Sequence, residues 1–220
     1  MIRVRDVRDE LQKKYERGEF VTVGTSKTVE IAPAFFLADE PSIFGIPNQD
    51  YIDREKRWYN SMSLNVNDIP GGTPEIWKRC ATPDGRINSN YGWAIHHHAN
   101  GSQYDNVRNE LKRDPNSRRG VMIYTRPSMH VDQNVDGMQD FMCTNTVQYF
   151  IRDGRLHCLV NMRSNDAVFG YNNDWPWQAH VLHLLAVDLG VYPGDTWWCA
   201  GSLHVYERHF SLFSNSGSGG

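Results

Sequence analysis

No long apolar run occurs anywhere in the 220 residues. A helix that crosses a bilayer needs roughly 20 consecutive apolar residues, so no membrane partner is expected. The opening stretch, Met1-Ile-Arg-Val-Arg-Asp6, is charged rather than signal-like. A basic surplus is missing as well: 23 Lys and Arg stand against 26 Asp and Glu, a formal charge of -3. Proteins that coat nucleic acid neutralise many phosphates and need the opposite balance. Direct nucleic-acid binding is therefore not expected, and any anion bound should be small and met by a local arginine cluster. Cysteine is scarce. Cys80, Cys143, Cys158 and Cys199 form no Cys-x-x-Cys pair and no zinc pattern, which argues against a disulfide framework. Three of them, Cys80, Cys158 and Cys199, read as small buried hydrophobes. No internal repeat is found. His96-His97-His98 invites a metal, but adjacent residues on a helix point in different directions and cannot chelate together, so no metal is expected. These absences leave a cytoplasmic enzyme with one catalytic domain over 1–213. Residues 214–220 (Ser-Asn-Ser-Gly-Ser-Gly-Gly) read as a disordered tail or linker.

What is present centres on residues 140–174. Two β-rich segments flank Asp153-Gly154, a strong hairpin signal. One strand begins beside Cys143, and the other ends in Arg163-Ser164-Asn165-Asp166. A nucleophile and an anion-binding group then lie on neighbouring strands. Gly170 and Asp174 close the stretch.

The rest of the chain supplies candidates in order. Residues 4–17 predict a helix ended by Gly18, and 20–31 a strand, turn and strand. Pro33 and Pro41 mark 32–44 as an irregular connection. A helix over 49–62 puts Glu55, Trp58 and Tyr59 on a shared face; Glu55 reads there as a solvated charge or as an acid aimed inward. A short helix follows with Trp77. Residues 88–93, with Tyr91, read as a turn entering a helix, and 104–112 as another helix. Arg118 and Arg119 lie where a loop meets a strand. They are either an ordinary surface pair or a phosphate ligand, since guanidinium groups grip phosphate with two bonds and stay ionised. Residues 127–138 read as a loop. The apolar periodicity of 175–189 predicts a buried helix, 190–194 a turn, and 196–206 one strand on which His204 and Tyr206 face the same way.

Together, Cys143, Arg163-Ser164-x-Asp166, Gly170, Asp174, Ser117-Arg118-Arg119 and His204-x-Tyr206 resemble the thymidylate synthase superfamily, over about 21–210. Within it, Ile87-Asn-Ser-Asn-Tyr-Gly-Trp-Ala-Ile95 and Asp140-Phe-Met-Cys-Thr-Asn-Thr-Val-Gln-Tyr149 are similar to the phage branch that hydroxymethylates deoxycytidylate (dCMP). The resemblance implies an α/β (α+β) fold with a large mixed sheet through which two subunits pack as a homodimer. It implies dCMP and 5,10-methylenetetrahydrofolate as substrate and co-substrate, and host cytoplasm as the location if the chain is phage-encoded. Cys143 falls on the nucleophile and Glu55 on the general acid/base. Arg163 and Ser164 fall on the phosphate cradle, and Arg118 and Arg119 on arginines donated across the dimer. His204 and Tyr206 match the pair that holds the sugar hydroxyl. Tyr91 and Gln148 fall beside the nucleotide, Asp166 between nucleotide and folate, and Trp77, Asp140 and Gly170 on the folate side.

Asp174 is the position that reads the base, and thymidylate synthases carry asparagine there. An amide can donate to a uracil oxygen and accept from the ring N–H, whereas a carboxylate only accepts and suits the amino group of cytosine. Thr144 where the superfamily has histidine, and Asp140 where an apolar residue faces the folate, agree with the hydroxymethylating branch, since a polar group there could admit water. The early basic phosphate ligand is either absent, at Val23, or displaced to Lys27, and the chain beyond Phe210 is short where the family closes its end over the site. Arginine charge near Cys143 is expected to favour its thiolate. Rival readings are a dCMP methyltransferase, thymidylate chemistry on dUMP, a CMP hydroxymethylase and a nucleotide-binding protein without catalysis.

Overall fold

The computed structural model describes residues 1–214. The first helix, α1 (Val4–Glu16), buries Val4, Val7 and Leu11, a single stripe at helical spacing. Gly18, at φ +70°, turns the chain out of it. Strands β1 (Val21–Val23) and β2 (Ser26–Ile31) form the expected hairpin. The stretch 32–44, expected to be irregular, contains a strand, β3 (Ala34–Leu37). Prolines flank it without entering it, and its alternation buries Ala34 and Phe36 while Phe35 is exposed. Next come α2 (Gln49–Ser61), α3 (Glu75–Cys80), α4 (Tyr91–His96), α5 (Gln103–Arg113) and β4 (Val121–Ile123). The loop expected over 127–138 includes one short turn of helix, α6 (Met129–Asp132).

The central hairpin pairs β5 (Thr144–Arg152) with β6 (Arg155–Met162). Asp153 and Gly154 both have positive φ, +50° and +71°, the twist that a two-residue turn between right-twisted strands requires. Inward residues on β6 alternate regularly (Leu156, Cys158, Val160 and Met162 buried). After the short β7 (Asn165–Asp166), the long α7 (Gly170–Leu189) carries the chain over the sheet, so that β8 (Tyr192–Ala200) can pair parallel to β6. Helix α7 begins five residues earlier than the apolar periodicity predicts. In its first turns Tyr171 joins the core, while the polar side chains are held by hydrogen bonds, Asn172 Nδ2 donating to the Phe44 carbonyl and Asp174 accepting from Asn165.

One strand was expected over 196–206; there are two, β8 and β9 (Leu203–Tyr206), in different sheets. The break has a steric cause. A Cβ on Gly201 would lie 2.8 Å from the Arg163 carbonyl oxygen, so the backbone is pressed against the end of β6 and leaves for the second sheet. The turn expected over 190–194 is likewise taken up from Tyr192 onward by β8. The mixed sheet is thus divided in two: β3-β8-β6-β5-β4, and β1-β2-β9-β7. A 3-10 turn (Glu207–His209) and α8 (Ser211–Ser214) follow. The tail expected over 214–220 lies, apart from the backbone of Ser214, outside the described residues.

The core lies between the inner sheet faces and α1, α2, α5 and α7, with Trp58, Trp198, Tyr149 and Phe36 fully buried. Side chains of this size stabilise the fold by roughly 1.5–3 kcal/mol each. Among the described residues no helix is long and apolar enough to cross a membrane.

Candidate active site

Four chain segments converge at the open end of the β5–β6 hairpin. Cys143 immediately precedes β5, and Arg163 immediately follows β6. The Arg163 backbone N–H donates to the Cys143 carbonyl at 2.9 Å, so the strand ladder itself sets the two side by side. The Arg163 guanidinium is anchored by the carbonyls of Met142 (3.1 Å) and Phe141 (2.5 Å), and its Nη2 lies 3.8 Å from Cys143 Sγ. Ser164 is next in the chain, leading into β7.

Helix α2 delivers Glu55, which is 4% exposed and so not a solvated charge. The Tyr51 hydroxyl donates to its Oε1 at 2.7 Å, and Trp77 Nε1 lies 3.3 Å from the same oxygen and 2.9 Å from Tyr51 Oη. Burial pushes the Glu55 carboxyl up to about 7, against the pull of the Tyr51, Trp77 and Tyr59 donors. Tyr91 is set by α4. Asn90 caps that helix through Trp93 N–H (2.8 Å) and ties it to α2 and the following loop through the carbonyls of Trp58 and Ser63, both at 2.9 Å. Gly92 permits this approach: a Cβ there would fall 1.8 Å from the Tyr59 carbonyl oxygen. The Tyr91 ring stacks on Tyr59 at 5.1 Å.

Asp174, on the second turn of α7, accepts from Asn165 Nδ2 at 2.9 Å and from the Tyr91 hydroxyl. Burial first, and Glu55 next, push its carboxyl up to about 8. The Cys143 thiol is pushed up to about 12. Burial is the largest cause; Arg163 opposes it, while Asp174 and Asp140 add to it. The arginine is where the sequence puts it, but desolvation outweighs it, so the expected thiolate is a protonated thiol in the free protein.

Asp166 accepts from Val168 N–H at 2.9 Å and lies 3.4 Å from Arg208 Nη2. Beside it on β9, the His204 and Tyr206 rings meet edge to face at 4.8 Å. Ser202 Oγ links His204 Nδ1 (3.3 Å) to Glu30 (2.7 Å). Burial lowers the His204 pKa, favouring a neutral ring. Asp140 is buried, its oxygens taken by Asn88 N–H (2.8 Å) and Ser89 Oγ (2.6 Å), so it braces the loop before α4.

Arg118, Arg119 and Gln148 form a separate group at the β4 edge. Gln148 Nε2 donates to the Arg118 carbonyl at 2.9 Å, and Arg119 Nε pairs with Glu110 at 3.0 Å. Lys27 lies 3.8 Å over the Phe20 ring. At the histidine triplet, the helix ends at His96, and His97 stacks between Trp93 (5.2 Å) and His98 (4.4 Å). Sequence reasoning passed over Tyr51 and Asn165. The first lies one helical turn before Glu55, a findable signal; the second is the position left open inside Arg163-Ser164-x-Asp166.

The arrangement brings a thiol, two buried carboxyls and a guanidinium into one electrostatic neighbourhood. The family model for thymidylate synthase matches residues 48–216. The deoxycytidylate 5-hydroxymethyltransferase of enterobacteria phage T4 is 54% identical over 217 residues, 95% of this chain and 88% of its own. The crystal structure of phage T4 thymidylate synthase superposes with a TM-score of 0.74 at 20% identity, over 93% of this chain and 77% of that one. Thymidylate synthase A of Bacillus subtilis gives 0.69 at 22%, over 94% and 82%. By family match and sequence likeness, with the same fold, the chain belongs to the thymidylate synthase family.

Proposed function

We propose that the chain is a deoxycytidylate 5-hydroxymethyltransferase, moving a one-carbon unit from 5,10-methylenetetrahydrofolate to carbon 5 of dCMP with addition of water. The observation that carries this reading is Asp174. A carboxylate, not an amide, stands beside the cysteine and accepts hydrogen bonds, which suits the cytosine amino group. The likeness to phage hydroxymethyltransferases supports it.

In this reading Cys143 Sγ adds to carbon 6 of the ring as its proton passes to ordered water, which makes carbon 5 nucleophilic. Arg163, with Ser164, holds the phosphate and favours the developing thiolate. The folate supplies the methylene carbon and departs as tetrahydrofolate when carbon 5 gives up its proton, leaving an exocyclic methylene. Ile76 beside Trp77, and Phe169 beside Gly170, are 60% and 57% exposed, apolar surface that fits a flat ring. Glu55, near 7 and fed by Tyr51 and Trp77, exchanges protons at neutral pH while carbon 5 loses its own. Water then adds to the exocyclic methylene, and Cys143 leaves as thiolate. His204 and Tyr206 hold the sugar hydroxyl.

The protein works in this reading as a homodimer. The outer face of the five-stranded sheet carries Phe35 stacked on Trp197 (5.5 Å), with Leu159, Phe150 and Ile123. That is an apolar surface of the kind a second copy covers. Arg118 and Arg119 stand beside it, ready to serve the partner's phosphate. Mass spectrometry of the product from dCMP and methylenetetrahydrofolate tests the function. Hydroxymethyl-dCMP with release of tetrahydrofolate is expected; methyl-dCMP with dihydrofolate overturns it in favour of methylation.

A further inference from the structure

We propose that Asn165 is the positioning residue that sets base selectivity, by holding the Asp174 carboxylate as an acceptor toward the pyrimidine; this rests on the deoxycytidylate reading above. Asn165 is 2% exposed and opens β7, where its backbone N–H donates to the Ser202 carbonyl at 2.8 Å. Its Nδ2 donates to Asp174 Oδ2 at 2.9 Å. Its Oδ1 is buried and has no protein partner among the described residues. A side chain that merely filled this space would be easier to bury if it were apolar, because an unpaired buried carbonyl is unfavourable. The amide is explained by its other end. Turned over, it would set an oxygen against a carboxylate oxygen, so the Asp174 contact fixes its orientation.

Gly170 makes room for the pair. A Cβ there would lie 3.1 Å from Asn165 Nδ2 and 3.7 Å from Asp174 Oδ2, so α7 starts with no side chain where strand and helix meet. Around Asp174, Glu55 from α2 and Asp166 from β7 favour the protonated acid, as burial does. The Cys143 thiol and the Tyr59 and Tyr124 hydroxyls also face it. The Tyr91 hydroxyl and the Asn165 amide favour the ionised form. A protonated carboxyl both donates and accepts, as an amide does, and no longer separates a cytosine amino group from a uracil oxygen. Asn165 therefore guards selectivity by raising the fraction of Asp174 that is ionised against the burial that opposes it, without itself touching the base.

The test compares kcat/KM for dCMP and dUMP, from pH 6 to 9, in the wild type and Asn165→Leu, with Asn165→Ala serving if the leucine variant does not fold. The dCMP-to-dUMP ratio at pH 7 is expected to fall about tenfold. The acid limb of the dCMP profile should move to higher pH, because Asp174 loses a donor to its charged form. In an Asp174→Asn background the same substitution should leave the ratio within about twofold, since the two residues act as a unit. An unchanged ratio and limb in an otherwise weakened variant mean Asn165 only supports the fold, and the assignment falls. Wild-type protein that does not turn over dCMP at all overturns the functional reading itself, and this inference with it.

Discussion

Tyr51 and Glu55 are one turn apart on α2, and the tyrosine hydroxyl donates to Glu55 Oε1 at 2.7 Å. Burial raises the acid to about 7, and this donor is the first of the groups that hold it down. Tyr51→Phe is expected to raise it further, moving the lower of the two acid-side ionisations of the kcat/KM profile (Asp174 being the upper) toward alkaline pH while leaving the plateau largely intact. Glu55→Gln should lower turnover roughly 10²–10⁴-fold, the range for a lost general acid/base. Steady-state pH profiles check both. If the Tyr51→Phe and wild-type profiles superimpose, Glu55 does not set the limb.

The same buried acid leaves a mark on stability. Its folded pKa, about 7, exceeds the ordinary 4.5. The folded state therefore binds the proton more tightly, and that stabilisation is complete below 4.5 and lost as pH rises through about 7. The whole swing is about 3 kcal/mol. Glu55→Gln stays neutral and should melt several degrees above the wild type at pH 8, with the gap closing toward pH 4.5. Equal melting temperatures at pH 8 would show that the acid is not penalised by burial.

Cys143 should behave as a slow thiol. With its pKa near 12, alkylation of the free protein by iodoacetamide at pH 7 is expected to lag behind free cysteine. The rate should rise about tenfold per pH unit, as thiolate reactivity does below the pKa. Arg163→Met removes the one opposing cation and should slow it further. Cys158, fully buried, should react only on unfolding. Cys143→Ser should abolish turnover and spare dCMP binding. Peptide mapping of the labelled protein reads the rates, and rapid labelling of Cys143 at pH 7 would mean the thiolate precedes the substrate.

The legible parts of this chain were those whose pattern is local. The stripe of α1 and the Asp153-Gly154 turn follow from periodicity and turn chemistry. So does the placing of Cys143 beside Arg163 across a hairpin mouth. The missed parts depend on distant groups. β3 hides between prolines because only its pairing to β8 makes it a strand. The 196–206 segment splits because Gly201 meets a carbonyl from β6. The polar start of α7 lies outside the apolar period because its side chains answer to Asn165 and Phe44. Residue by residue, Glu55 could be placed by resemblance, but its burial, and the desolvation that overrides Arg163 at Cys143, required packing that no spacing encodes.

Gly92 offers a test of how the site is held together. A methyl group there would fall 1.8 Å from the Tyr59 carbonyl oxygen, well inside contact distance and against backbone. α4 would have to withdraw from α2, taking Tyr91 from its stack on Tyr59. Gly92→Ala is expected to destabilise by more than ~3 kcal/mol, as overpacking against rigid backbone does. The drop in urea midpoint reads it. A near-neutral result would mean that the two helices are not in close register.

Arg118 and Arg119 stand at the β4 edge, exposed, and within the chain no hydrogen bond or ion pair among the described residues joins them to Cys143. If they complete the partner's site, neither a chain lacking them nor a chain lacking the thiol can work in its own homodimer. A mixed dimer can: the arginine-deficient chain keeps its cysteine and borrows arginines from the other. Arg118→Ala/Arg119→Ala protein mixed with Cys143→Ser protein, after unfolding and refolding together, should recover activity. Random pairing gives one working site in half of the dimers, about a quarter of the wild-type value. Each variant refolded alone should stay inactive. The recovered fraction should vanish when Trp197→Glu is added to both chains, because a charge on the apolar sheet face blocks assembly. If co-refolding restores nothing while dimers form normally by light scattering, the arginines serve their own chain or none.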